Sequence, residues 1–178
     1  MESSSRQTDL ATLNSISARA AEAEFLKCCG SQNWATQMAG ARPWDTVNEM
    51  IAAANRIWWK LGRQDWLDAF HSHPKIGEKK AVTPTVAEAQ RWSEAEQAGI
   101  RNSAPETLRA LAELNRTYEE KFGYIFIVCA TGKSSEEILP ILRARVGNDP
   151  EGELRVAATE QAKITELRLR KLVATSAS

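Results

Sequence analysis

The sequence predicts an all-α fold, a single compact multi-helix domain over residues 1–178 with its core at about 13–173, short polar tails and no real sheet. Apolar residues recur at helical spacing through most of the chain, as in Val47, Met50, Ile51, Ala54, Ile57, Trp58 and Leu61. Only the run from Tyr124 to Ala130 reads as a strand. A lone strand has no partner with which to make a sheet, so an extended buried segment is expected there. A chain of 178 residues is long enough to bury a real core.

The elements follow from their stop and start signals. Ser17 caps a first helix over 18–29, with Gly30 as its stop. Ser31 opens a short turn carrying Trp34 and Met38 ahead of the breaker Arg42-Pro43. Asp45 caps the amphipathic helix quoted above, and Gly62 ends it. Trp66, Leu67 and Phe70 form a short apolar face leading into His71-Ser72-His73-Pro74-Lys75-Ile76-Gly77. A charged loop from Glu78 to Pro84 follows, then two short helices or one bent one over 85–92 and 93–100. Ser103 and Pro105 start a long helix bearing Leu108, Leu111, Leu114, Tyr118 and Phe122, closed by Gly123. Ser134 to Glu137 spells a capping box for a helix ending at Gly147, and Asp149-Pro150 starts a last helix reaching about Val173.

Composition removes several classes of function. The 23 basic and 23 acidic residues cancel, so no overall field favours nucleic acid or an anionic membrane. No apolar run approaches a bilayer span, and the polar start lacks the apolar stretch of a signal peptide. The three cysteines, Cys28, Cys29 and Cys129, have no Cys-x-x-Cys spacing and read as buried thiols of a reducing compartment; a cytoplasmic protein is expected. The six tryptophans lie among aliphatic residues and predict core packing. Neither a phosphate-binding glycine loop nor a nucleophile elbow is present.

Three places could carry chemistry. The only two histidines, His71 and His73, share one segment, and Pro74 holds His73 extended. Such a histidine either fixes a turn or moves protons near neutral pH. His-x-His can also chelate, but further ligands are not spaced to complete a metal site. Ser93-Glu94-Ala95-Glu96-Gln97 is either a capping box or a helix start that offers polar groups to a ligand. Arg168 falls on the apolar face of the last helix with Leu154, Ala158, Gln161, Ile164, Thr165 and Leu172, whereas Lys163 and Arg170 point the other way. An inward arginine needs a carboxylate such as Glu96, backbone carbonyls or a ligand anion, unless it snorkels out.

These segments occur in a familiar order. Cys28-Cys29-Gly30-Ser31 with Trp34, Arg42-Pro43, His73-Pro74-Lys75-Ile76-Gly77 and Ser93-Glu94-Ala95-Glu96-Gln97-Ala98-Gly99 come first. Leu114-Asn115, the run from Tyr118 to Cys129 and Lys163-Ile164-Thr165-Glu166-Leu167-Arg168-Leu169 follow. Together they resemble the 2-oxo-4-hydroxy-4-carboxy-5-ureidoimidazoline (OHCU) decarboxylases of urate breakdown over nearly the whole chain. The resemblance implies an all-helical, cofactor-free, metal-free lyase, usually a homodimer, that turns OHCU into (S)-allantoin and carbon dioxide. It puts the catalytic histidine at His73 and demotes His71. It puts substrate contacts at Pro74, Ser93, Glu94, Ala95, Glu96, Gln97, Phe126, Ile127, Val128, Cys129, Ala130 and Arg168. Urate oxidase and hydroxyisourate hydrolase would be the pathway neighbours. A helical ureide- or purine-binding module without catalysis, and a metal-dependent hydrolase using His71 and His73, are the competing readings.

Overall fold

The structure, a computed structural model, describes residues 9–76, 87–100 and 102–174, without the side chains of 87–90. Gly77, the charged loop from Glu78 to Pro84, and Thr85 lie outside the described residues.

A helix that the spacing did not announce, α1 (Leu10–Ser15), comes first. Asp9 caps it by accepting from the Thr12 amide at 2.7 Å, and this bond holds the Asp9 carboxyl below its ordinary range. Ser17 caps α2 (Ala18–Cys28), which stops one residue earlier than expected. Ser31 opens a full helix, α3 (Gln32–Ala41), where a short turn was expected. The reason is packing: Trp34, Ala35 and Met38 fall on one buried face and hold the helix to the core. The cap of α4 (Val47–Lys60) is Thr46 and not Asp45. Gly62 does not close that helix but opens the next, α5 (Arg63–His71), with the Asp65 carboxylate accepting from its amide.

Between 87 and 100 the chain makes α6 (Ala87–Glu96) and then a 3-10 turn over Ala98–Ile100. Ser93 is thus inside a helix, and the capping-box alternative is wrong. The long helix is α7 (Pro105–Phe122), with Ala104 rather than Ser103 at its N-cap. Gly123 ends it at φ +79°, a left-handed conformation that suits glycine. Residues 124–130 belong to no helix and are buried apart from the partly buried Ile125, and no strand is found among the described residues. The Ser134–Glu137 capping box starts α8 (Ser135–Val146), and Asp149 caps α9 (Pro150–Leu172).

Helix α9 runs through the middle, against α2 on one side and α4 on another, while α2 packs on α3 and α7 on α8. Buried apolar side chains from these elements form one continuous cluster. Indole N–H groups stitch the packing: Trp34 donates to the Ala54 carbonyl and Trp58 to that of Ala158. The tryptophans are not all core, however. Trp34, Trp44 and Trp58 are buried and Trp66 and Trp92 partly so, but Trp59 is 42% exposed, because one step along α4 turns it about 100° from Trp58 to the edge of the buried face, where it meets Trp66 edge-on.

Candidate active site

The histidine corner forms where α5 runs out. Ser72 caps that helix, its hydroxyl donating to the Ala69 carbonyl, and the His73 amide still reaches Phe70 at 3.2 Å before Pro74 prevents another turn. The corner lies tight against the α2–α3 junction: a methyl group on Gly30 would come 2.4 Å from Ser72 Cβ. Lys75 ties the far side to Glu119 of α7 at 2.8 Å. His71 is exposed, whereas the half-buried His73 turns inward, its Nε2 lying 2.6 Å from Oε1 of Gln161 on α9.

Two turns further along α9, Arg168 is 4% exposed. Its Nε and Nη2 donate to the two carboxylate oxygens of Glu96 at 2.9 and 3.0 Å. Nη2 also donates to Ser93 Oγ, and Nη1 to the Lys27 carbonyl. Fork geometry of this kind gives a strong, oriented pair. It joins α6, α9 and the end of α2. Cys28 and Cys29 lie nearby; burial pushes both thiols up, Cys29 to about 11, against the pull of Arg168. Neither is a nucleophile at neutral pH.

The wall opposite is the 124–130 segment. A buried network fastens it: Arg145 of α8 pairs with Glu153 of α9 at 2.6 Å and donates to the Ile127 carbonyl, also at 2.6 Å. The Tyr118 hydroxyl and the Asn148 amide donate to the same Glu153 carboxylate, and the Arg145 guanidinium lies 4.5 Å from the Phe126 ring centre. Lys133 holds the Cys129 carbonyl. The amide N–H groups of residues 126–130, by contrast, have no protein acceptor among the described residues.

These parts enclose a cleft of about 340 Å³ including its open mouth, lined by His73, Pro74, Ile76, Ser93, Glu96, Gln97, Phe126, Ile127, Val128, Ala130 and Ile164. It offers a proton-transfer group, a carboxylate–guanidinium pair and a side-chain amide around a space fit for one small polar molecule. Among the described residues no cluster of His, Cys, Asp or Glu could hold a metal ion.

The OHCU decarboxylase family model matches residues 14–170. The chain belongs to the OHCU decarboxylase family. The uric acid degradation bifunctional protein TTL of Arabidopsis thaliana is 41% identical over 85% of this chain and 47% of its own length, so the chain spans about half of that relative. A 2-oxo-4-hydroxy-4-carboxy-5-ureidoimidazoline decarboxylase of Haloferax volcanii is 31% identical over 76% of this chain and 79% of its own. A crystal structure of OHCU decarboxylase in the presence of (S)-allantoin superposes with a TM-score of 0.73 at 40% identity, covering 86% of this chain and 99% of that one. A structure of (S)-allantoin synthase, at 19% identity and a TM-score of 0.69 over 95% of this chain and 55% of that one, shares the fold.

In this OHCU decarboxylase family member, His73, Pro74, Ser93, Glu96, Gln97, Phe126, Ile127, Val128 and Ala130 line one cleft, and Arg168 sits behind it through Glu96 and Ser93. Glu94, Ala95 and Cys129 do not line it. Helical rotation turns Glu94 and Ala95 away from the face shared by Ser93, Glu96 and Gln97. Gln161 and the Arg145–Glu153 pair are the residues that the sequence reading missed. Their signal was present: Glu153, Ala157, Gln161, Ile164 and Arg168 form one stripe of α9, and polar members of such a stripe must be paired inside.

Proposed function

We propose that this chain decarboxylates OHCU to (S)-allantoin without a cofactor, His73 serving as general acid/base. The observation that carries this is the convergence of His73, Glu96, Gln97 and the 126–130 segment on one cleft. Losing carbon dioxide breaks the bond between the ring carbon bearing the hydroxyl and its carboxylate. The electron pair passes into the adjacent ring imine, whose nitrogen takes up a proton, so the substrate supplies its own sink. The resulting planar enol takes a proton on the neighbouring carbon as its hydroxyl proton leaves. The sum is one proton in and one carbon dioxide out. Protein groups are needed for orientation and for delivering that proton to one face.

Glu96 accepts from ureido or ring N–H groups, Gln97 both donates and accepts, and the 126–130 amides donate to ring carbonyls. Arg168 holds Glu96 in place and keeps its charge compensated. Contacts of Glu94, Ala95 and Cys129 with substrate have less support, since those side chains lie off the cleft. The same reading takes residues 1–178 as one domain working as a homodimer in the cytoplasm, which the buried free thiols suit. Relatives named as bifunctional proteins of uric acid degradation support urate oxidase and hydroxyisourate hydrolase as pathway neighbours.

The test is to supply freshly made OHCU and follow allantoin by circular dichroism. Uncatalysed decay yields a racemate, so a fast-growing signal of the (S) form is expected from the parent chain. No such signal is expected from His73→Ala with unchanged helical dichroism. A racemate formed at the uncatalysed rate by the parent would mean a ureide-binding module instead. Full activity in His73→Ala would remove His73 from the mechanism.

A further inference from the structure

Gln161 is fully buried and does not line the cleft, so substrate does not reach it. Its amide is nevertheless tied at both ends. The nitrogen donates to Thr165 Oγ1 at 3.1 Å, and the oxygen lies 2.6 Å from His73 Nε2. An amide oxygen only accepts, so the imidazole nitrogen facing it must carry a proton.

We propose that Gln161 is a positioning residue: it holds His73 with Nε2 protonated and so designates Nδ1 as the nitrogen that takes up and returns the proton. The inference rests on the acid/base reading of His73. Imidazole and imidazolium both keep the Nε2–H, so the bond to Gln161 persists while Nδ1 titrates and the ring need not reorient. The opposite tautomer would present an N–H where a base is needed. Among the described residues, charged groups beside the cleft are paired: Glu96 of α6 with Arg168 of α9, and Lys75 with Glu119 of α7. Glu160 of α9, paired with Lys163, and Lys133 act on Cys129 in the segment beside the cleft. An amide at 161 adds no further charge to this balance.

His71→Gln leaves His73 as the sole histidine, so long-range proton–nitrogen spectra of the full chain labelled with ¹⁵N-histidine report its tautomer directly. Above the titration, a pyrrole-type Nε2 and a pyridine-type Nδ1 are expected; the reverse pattern, or an averaged mixture, overturns the proposal. Gln161→Met removes the acceptor at similar size. A fall in kcat of about tenfold to a hundredfold, with KM within about threefold, is expected. Gln161→Glu keeps the acceptor and adds a charge, so the pH limb that titrates with His73 should move up by about one unit whether His73 acts as acid or base. Wild-type kcat and pH profile in Gln161→Met overturn the assignment. Should either variant fail to fold, the tautomer spectrum of His71→Gln decides alone. A parent without OHCU turnover overturns the functional reading, whereas the reversed tautomer in an active parent overturns only the role of Gln161.

Discussion

Arg168 donates both edges of its guanidinium to partners that are themselves buried, and this makes its removal a double event. Glu96 is 8% exposed and would be left as an uncompensated carboxylate in the wall of the cleft. Breaking a buried pair from one side costs about 3–5 kcal/mol, so Arg168→Leu should lower the urea midpoint strongly as well as lose activity. Arg168→Lys restores the charge but not the fork, and cannot hold Glu96 and Ser93 together. We expect it to keep most of the stability and to lose turnover by at least about tenfold. Parallel urea melts and OHCU turnover separate the two effects; full turnover in Arg168→Lys would mean that the orientation of Glu96 does not matter. The inward direction of Arg168 was legible from helical spacing alone, because one charge on an apolar stripe stands out. The same stripe marks Glu153 as inward, but its partner was not legible, since Arg145 meets it only once α8 and α9 are brought together.

At the level of elements, caps carried most of what could be read. Ser17, Ser134, Asp149, Pro105 and Gly123 each act at an end that local chemistry alone dictates. Gly62 was misread because glycine suits both a helix end and an N-cap, and only the Asp65 carboxylate after it decides. Ser93 and Glu96 have capping-box spacing, but the good helix formers Ala87, Glu88, Ala89 and Gln90 carry the helix through them. The junction of α2 and α3 yields a sharper statement. A methyl group at Gly30 would meet Ser72 Cβ at 2.4 Å, and the Ala69 backbone stands behind it at 3.7 Å, so no rotamer change relieves the clash. Gly30→Ala should therefore push the histidine corner off α9, with about 1–3 kcal/mol of destabilisation and a fall in turnover. Combining it with Ser72→Gly removes the atom in the way and should restore both. If Gly30→Ala alone melts and turns over like the parent, the corner is not held by this contact.

Over the whole molecule, the apolar cluster encloses several weak acids that the folded state keeps protonated. Burial pushes the Cys29 thiol from its ordinary 9.0 to about 11. It pushes Cys28 and the Tyr118 hydroxyl higher still, the latter with help from the hydrogen bond to Glu153. An unfolded chain gives up these thiol protons near pH 9, whereas the folded chain holds them, so above that point the unfolded state binds fewer protons. Stability then falls as pH rises. The contribution is present in full below about pH 9 and is lost as pH climbs toward the folded values, at up to about 1.4 kcal/mol per unit for each group that titrates differently. We expect the urea midpoint to be flat from neutral pH to about 8.5 and to decline steadily beyond. Cys28→Ala removes one such acid and should flatten that decline, with little change at neutral pH beyond the lost packing of one sulfur. A midpoint that holds level through pH 10 and 11 would mean that the thiols and Tyr118 reach solvent in the folded state. The core drawn around α9 would then be more open than its packing implies.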